Sequence, residues 1–174
     1  FIISKFGLPC RLRLNNNFYK NATVNATFLI SSGTLISITK LLKVGGMRSN
    51  YFIDHVDTEW CLRGKGMGFR FFGVANAIMR HSLGEDRLRV WFLKWRVVSF
   101  HKPFRYYYIF RNSVNIWKRS YISTRWKIVD FIRLVQLVVF FGLFSANKAT
   151  CLSMMVRGFM DGLRGVTGKM PHRE

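Results

Sequence analysis

Three carboxylates, Asp54, Asp57 and Glu59, fall within six positions of a chain that carries 28 Lys and Arg but only 8 Asp and Glu. Residues 51 to 86 hold five of those eight acids, with Glu85 and Asp86 at the far end and His81 between. A positioned carboxylate can take a proton from a hydroxyl, and a His at a strand end can ligate a metal. Each also has a plainer role. Asp54 and Asp57 stand three apart, as in a carboxylate version of the capping box, and an acid in the first turn of a helix is favoured by the helix dipole. A lone His after a strand is more often satisfied by its surroundings than by a metal, so spacing alone leaves both roles open.

The elements that must position these residues are legible as patterns. Tyr51, Phe52 and Ile53 read as the end of a buried strand, and Asp54 as the N-cap of a helix from His55 to about Arg63. Glu59 and Arg63 would form an i,i+4 ion pair within it, and Gly64, Gly66 and Gly68 would end it. Phe69 to Gly73 and Ala77 to Arg80 read as short strands, the second bringing His81 to its end. Upstream, Thr27 to Ser31 reads as a strand broken at Ser32-Gly33, either a plain turn or a point where a ligand approaches the backbone closely. Leu35 to Val44 repeats as a helix and is closed by Gly45-Gly46.

Past Gly84 the composition changes. Residues 86 to 100 place Leu88, Trp91, Phe92, Trp95 and Val98 on one helical face. Pro103 opens a further helix containing Tyr106, Tyr107, Phe110, Val114 and Trp117, an aromatic stripe best explained by packing. Two more helices follow between 125 and 170. The first carries an apolar run, Leu137 to Phe144, far shorter than the roughly 20 residues a bilayer crossing needs, so spanning is the second choice. The second is amphipathic through Leu152, Met155, Val156, Phe159, Met160 and Leu163, and Gly158, Gly162 and Gly165 are expected to weaken it.

Four blocks in register carry a resemblance: SSGTLIS at 31 to 37, FIDHVDTEWCLR at 52 to 63, HSLG at 81 to 84 and YYYIFRN at 106 to 112. Over about residues 27 to 120 they resemble the acceptor-side half of family 2 glycosyltransferases, specifically bacterial rhamnosyltransferases. Val56 stands where most family 2 enzymes carry Glu, a departure the rhamnosyltransferase subgroup shares, while Asp57 keeps the Asp. The resemblance implies an α/β fold, the C-terminal, acceptor-side part of a GT-A (Rossmann-like) domain. It implies Asp57 as the general base, His81 as a ligand of a divalent metal (Mg or Mn), and an acceptor site drawn from Ser32, Gly33, Asp54, Glu59, Trp60 and Arg63. The donor would be dTDP-rhamnose, and the acceptor a lipid-linked glycan of O-antigen type. One displacement with one base implies inversion.

The chain starts Phe-Ile-Ile, with neither a Gly-rich phosphate loop nor an Asp-x-Asp motif. It is therefore expected to be the C-terminal portion of a longer protein, inactive alone. Three parts are expected: 1–86 on the catalytic side, 87–124 a basic aromatic helical extension, and 125–174 an amphipathic, membrane-associated tail. Residues 1 to 86 hold 11 bases and 5 acids, net +6, and residues 87 to 174 hold 17 bases and 3 acids, net +14. Such a charge suits an anionic membrane surface or nucleic acid. The membrane is preferred, as peripheral attachment to the cytoplasmic face of the bacterial inner membrane, because nucleic acid offers the apolar run nothing to enter. A basic, aromatic nucleic-acid-binding protein is the alternative. Cys10, Cys61 and Cys151 are widely spaced and form no CxxC pair, which favours a reducing compartment and no zinc site.

Overall fold

The computed structural model describes residues 2–3, 9–10, 23–77, 79, 87–92, 94–99 and 101–170. The fold is mixed α/β and mostly helical. In order it runs β1 (Ile2–Ile3), β2 (Pro9–Cys10), β3 (Thr23–Ala26), α1 (Ile38–Val44), α2 (Val56–Gly66), β4 (Phe71–Val74), β5 (Arg87–Phe92), β6 (Lys94–Ser99), α3 (Pro103–Trp117), α4 (Thr124–Phe144) and α5 (Lys148–Leu163). The described strands pair antiparallel, β1 with β2, β3 with β4 and β5 with β6.

α3 is the axis of the molecule. Tyr106 to Ile116 are buried without interruption, so this helix is covered all round rather than along one stripe. α5 lies along it and α4 packs against both, with Tyr106, Ile109, Phe110, Leu134, Phe141, Cys151 and Met155 forming one core. A second core joins Tyr51 and Leu62 to Ile116, Ile122 and Trp126, which fastens α2 to the helical layer. A third, Val44, Trp60 and Cys61, fastens α1 to α2. Pro103 opens α3 as expected, and the Ser123 hydroxyl caps α4 by accepting from Trp126 N at 3.3 Å.

Several expectations are corrected. Residues 86 to 100 are not a helix: β5 and β6 pair from Arg87↔Ser99 to Phe92↔Lys94. Val90, Val97 and Val98 with the Trp and Phe residues favour strand, and a period of two fits this stretch as well as the helical one. Tyr51 ends a 3₁₀ turn, Ser49–Tyr51, rather than a strand. The strand expected at Thr27 to Ser31 lies earlier, at Thr23–Ala26, because Ser31 to Thr34 closes a turn. Ala77 and Met79 are not in a strand, whereas the strand expected at Phe69 to Gly73 is found as β4.

The glycines also differ from expectation. α2 runs through Gly64 to Gly66, where a Cβ would stand 3.0 Å from the Phe71 ring and 2.7 Å from Tyr121 Cβ. In α5 the Gly158 and Gly162 positions lie at its crossing with α3. A Cβ on Gly158 would come within 2.2 Å of the Tyr107 carbonyl oxygen, and one on Gly162 within 2.7 Å of Val114 Cβ. Their cost in helix propensity is offset by the close approach they permit. Among the described residues no helix is long and apolar enough to cross a membrane.

Candidate active site

The segment that leads into α2 is irregular at almost every residue. Phe52 (φ 65°, ψ −66°) is the centre of a γ-turn in which Ile53 N donates to Tyr51 O at 2.8 Å. Asp54 (φ 63°) and His55 (φ 61°) follow in the left-handed region. Non-glycine residues held there cost on the order of 1–3 kcal/mol each and persist only where their surroundings over-determine them. His55, not Asp54, is the N-cap residue of α2, and its side chain makes no capping bond. The Asp54 carboxylate turns away to Arg105 at the start of α3, taking Nε at 3.2 Å and Nη2 at 2.5 Å as a bidentate pair.

Buried polar groups of α3, and a half-exposed arginine of α4, hold this loop. Asn112 Nδ2 donates to the carbonyls of Tyr51, Ile53 and Asp54, and Arg111 Nη2 donates to Tyr51 O at 3.0 Å. The Arg111 guanidinium also lies over the Tyr108 ring, 4.8 Å from its centroid. His55 Nε2 faces the Ser113 hydroxyl at 3.2 Å and Arg133 Nη2 at 3.1 Å. A guanidinium can only donate, so Nε2 accepts and the ring is neutral with its proton on Nδ1. Burial, then the Arg133 charge, push the imidazole down to about 4. Burial alone would push Asp130 up, but Arg133, His55 and Ser113 together outweigh it and hold that carboxyl below its usual range. Asp130 also accepts from Trp117 Nε1 at 2.9 Å.

The predicted site residues separate into two groups. Asp57 sits in the first turn of α2, half-buried, and its Oδ2 accepts from Ser31 N at 2.9 Å. That bond brings it against the turn containing Ser32 and Gly33, closed by Thr34 N donating to Ser31 O at 3.1 Å. Gly33 has φ 74°, and a Cβ there would lie 3.0 Å from Met79 Sδ, so glycine is required twice over. The other group faces the protein interior. Glu59 is 0% exposed and accepts from Arg63 Nε at 3.0 Å, from the Tyr121 hydroxyl at 2.5 Å, and pairs with Arg48 at 3.3 Å. The i,i+4 pair read from the sequence is present, as part of a larger cluster. Arg63 also donates to Val44 O and Gly46 O, and Trp60 Nε1 donates to Gly45 O at 2.7 Å, tying the start of the α1–α2 connection to α2. Trp60 borders an open groove of about 480 Å³ with Thr34, Ser37, Lys40 and Phe71.

One contrast stands out among the described carboxylates. Asp54 is paired with Arg105, Glu59 with Arg48 and Arg63, Asp130 with Arg133, and Asp161 with Arg157 and Arg164. Asp57 alone among them has no arginine partner among the described residues, where its carboxylate accepts only from the Ser31 amide. It is a carboxylate with one oxygen anchored and the other available, the arrangement a proton acceptor needs. His81 lies outside the described residues. Among the described residues no three His, Cys, Asp or Glu gather where a metal could sit, so they do not by themselves form a donor set.

No family model matches the chain, and no solved structure matches it. It is similar to the dTDP-rhamnosyl transferase RfbF of Shigella flexneri, 29% identical over 143 residues, which is 80% of this chain and 46% of that one. That similarity supports a resemblance to rhamnosyltransferase-like glycosyltransferases. It spans less than half the length of that relative. The aligned length of 143 residues is more than the stretch from 31 to 112 that the four blocks span. Sequence reasoning missed the roles of Arg105, Ser113 and Arg133. Of the groups that hold the loop, only Arg111 and Asn112 had a signal, their place in YYYIFRN.

Proposed function

We propose that the chain is the acceptor-side portion of an inverting rhamnosyltransferase of GT-A type, with Asp57 as its base. The acceptor hydroxyl attacks the anomeric carbon of dTDP-rhamnose while its proton passes to Asp57. The bond from that carbon to the diphosphate oxygen breaks, and dTDP leaves with the electron pair. A single displacement inverts the anomeric centre, by the geometric logic that governs one-step glycosidases. The observation that carries the assignment is that Asp57, alone of the described carboxylates, is not held by an arginine and stands beside the Ser32-Gly33 turn. Similarity to a dTDP-rhamnosyl transferase supports the donor.

Ser32 and Gly33 are the proposed acceptor contacts nearest the base. The buried Glu59 and Trp60 and the half-buried Arg63 serve the reaction by holding α2 in place. His81 is proposed as one ligand of a divalent metal, Mg or Mn, whose other ligands the described residues do not supply. In the full-length gene product, Asp57→Asn should lower turnover by about 10² or more and leave dTDP-rhamnose binding unchanged. Turnover near normal in a folded Asp57→Asn protein would refute the assignment.

The acceptor is proposed to be a lipid-linked glycan, reached from peripheral attachment to the cytoplasmic face of the inner membrane. Supporting this, α4 exposes Ile128, Ile132, Val135, Val139 and Leu143 along one stripe, beside exposed Val156, Met160 and Leu163 of α5. Between the two helices lies an apolar groove of about 270 Å³. Arg125, Lys127 and Lys148 stand at the ends of this face, where anionic headgroups would meet them. Nucleic acid has no use for such a surface, and binding to it is not favoured.

A further inference from the structure

The strained loop before α2 is gripped by one side chain more than by any other. Asn112 Nδ2 lies 3.0, 2.8 and 3.0 Å from the carbonyl oxygens of Tyr51, Ile53 and Asp54. Its Oδ1 accepts from Arg111 Nε at 3.0 Å and Nη2 at 2.9 Å, so the amide has one orientation available, oxygen to the guanidinium and nitrogen to the loop. Asn112 and Tyr51 are buried and Ile53 and Asp54 half-buried, so without its donors these carbonyls lose partners that the interior offers no ready substitute for.

The three carbonyls bracket the residues whose conformation is unfavourable. Tyr51 O is at once the acceptor of the γ-turn at Phe52, of Asn112 and of Arg111. Ile53 O and Asp54 O flank the left-handed Asp54 and precede the left-handed His55. A relaxed loop would return Phe52 and Asp54 to negative φ. α2 begins one residue after His55, so that rotation would be delivered directly to its first turn and would carry Asp57 away from Ser31 N.

We propose that Asn112 is the positioning residue that aims Asp57 at the acceptor, a role that rests on Asp57 being the base. Asn112 does not touch the reacting groups. It acts through the backbone of residues 51 to 54, and Arg111 locks it in turn. The fold itself depends less on it, because α3 is packed against α5 through Gly158 and Gly162 and against α4 through Leu134 and Phe141.

The test uses the full-length gene product and four variants. Asn112→Asp keeps the shape and keeps an acceptor for Arg111, but turns an acceptor toward three carbonyls. Met155→Ala opens a void in the core between α3, α4 and α5 and serves as a control for stability alone. Asp57→Asn reports on the base. At assay temperatures set equally far below each melting temperature, Asn112→Asp should lower kcat at least 10-fold more than Met155→Ala does. The KM for dTDP-rhamnose should stay unchanged, and the amides of residues 53 to 59 should exchange faster with solvent. Asn112→Ser, which retains one donor, should fall between wild type and Asn112→Asp and serves in its place if that protein does not fold. Equal kcat losses in Asn112→Asp and Met155→Ala, or unaltered exchange at 53 to 59, would overturn the inference at Asn112. Normal turnover of Asp57→Asn would instead overturn the reading of the base, and the catalytic role of Asn112 with it.

Discussion

Acid should destabilise this protein through His55 before it reaches any carboxylate. The imidazole is pushed down to about 4 by burial and by Arg133, while in the unfolded chain it titrates near 6.5. Between those values the unfolded chain binds the proton and the folded one does not. The stabilisation is complete above pH 6.5 and is lost as pH falls toward 4. A separation of about 2.5 pH units corresponds to about 3 kcal/mol at 1.36 kcal/mol per unit. Asp130 cannot produce this loss, because its depressed pKa costs stability only as pH falls below its ordinary value of 3.8. His101 is also lowered, chiefly by burial, so the comparison must be made against a His55 variant. His55→Asn is suitable, since Asn tolerates the left-handed backbone there and does not titrate. Urea unfolding at intervals from pH 7 to pH 4 should show wild type losing about 3 kcal/mol more than His55→Asn across that window. The ring resonances of His55 should titrate near pH 4. Parallel pH profiles for the two proteins, or a His55 resonance titrating near 6.5, would refute the reasoning.

Two further outcomes are expected. Gly158→Ala places a methyl 2.2 Å from the Tyr107 carbonyl oxygen, a backbone atom that cannot step aside, so α5 must shift on α3. The loss should be about 3 kcal/mol or more, read as a lower urea midpoint, whereas Gly165→Ala, with open space at its Cβ, should lose far less and only through its φ of 79°. For the membrane, Ile132→Glu with Val139→Glu alters only exposed positions of α4 and should abolish flotation with anionic liposomes without lowering the melting temperature. Flotation unchanged by the pair would exclude this face as the attachment surface. Deleting residues 125 to 174 would not make that test, because α5 is packed along α3 and shares its core.

What could be read in advance follows from how local the cause is. α3, α4 and α5 announce themselves through Pro103, helical spacing and long apolar content, and the structure places helices there. The Glu59–Arg63 pair is set by helix geometry alone and is found. The stretch from 86 to 100 was ambiguous because aromatic and β-branched residues satisfy both a period of two and a period near four. Gly158 and Gly162 looked like defects because propensity is counted along one helix, while their purpose lies in a second.

The loop before α2 shows where a local rule gives way. Asp54 is a good N-cap by type and position, but a capping bond is worth only about 1 kcal/mol. Arg105 comes from 51 positions away and offers a bidentate pair, and Asn112 collects the carbonyls on either side. Buried, those bonds outweigh a cap, so the backbone twists into the left-handed region and the N-cap passes to His55. The same competition explains why the large excess of base did not obscure the site. Each described acid except Asp57 draws in an arginine from its own helix or a neighbouring one. In a chain so rich in arginine, a carboxylate left without one among the described residues has been kept from them by its placement. The Ser31 amide anchors Asp57 at the rim, where the acceptor turn rather than a guanidinium is its neighbour.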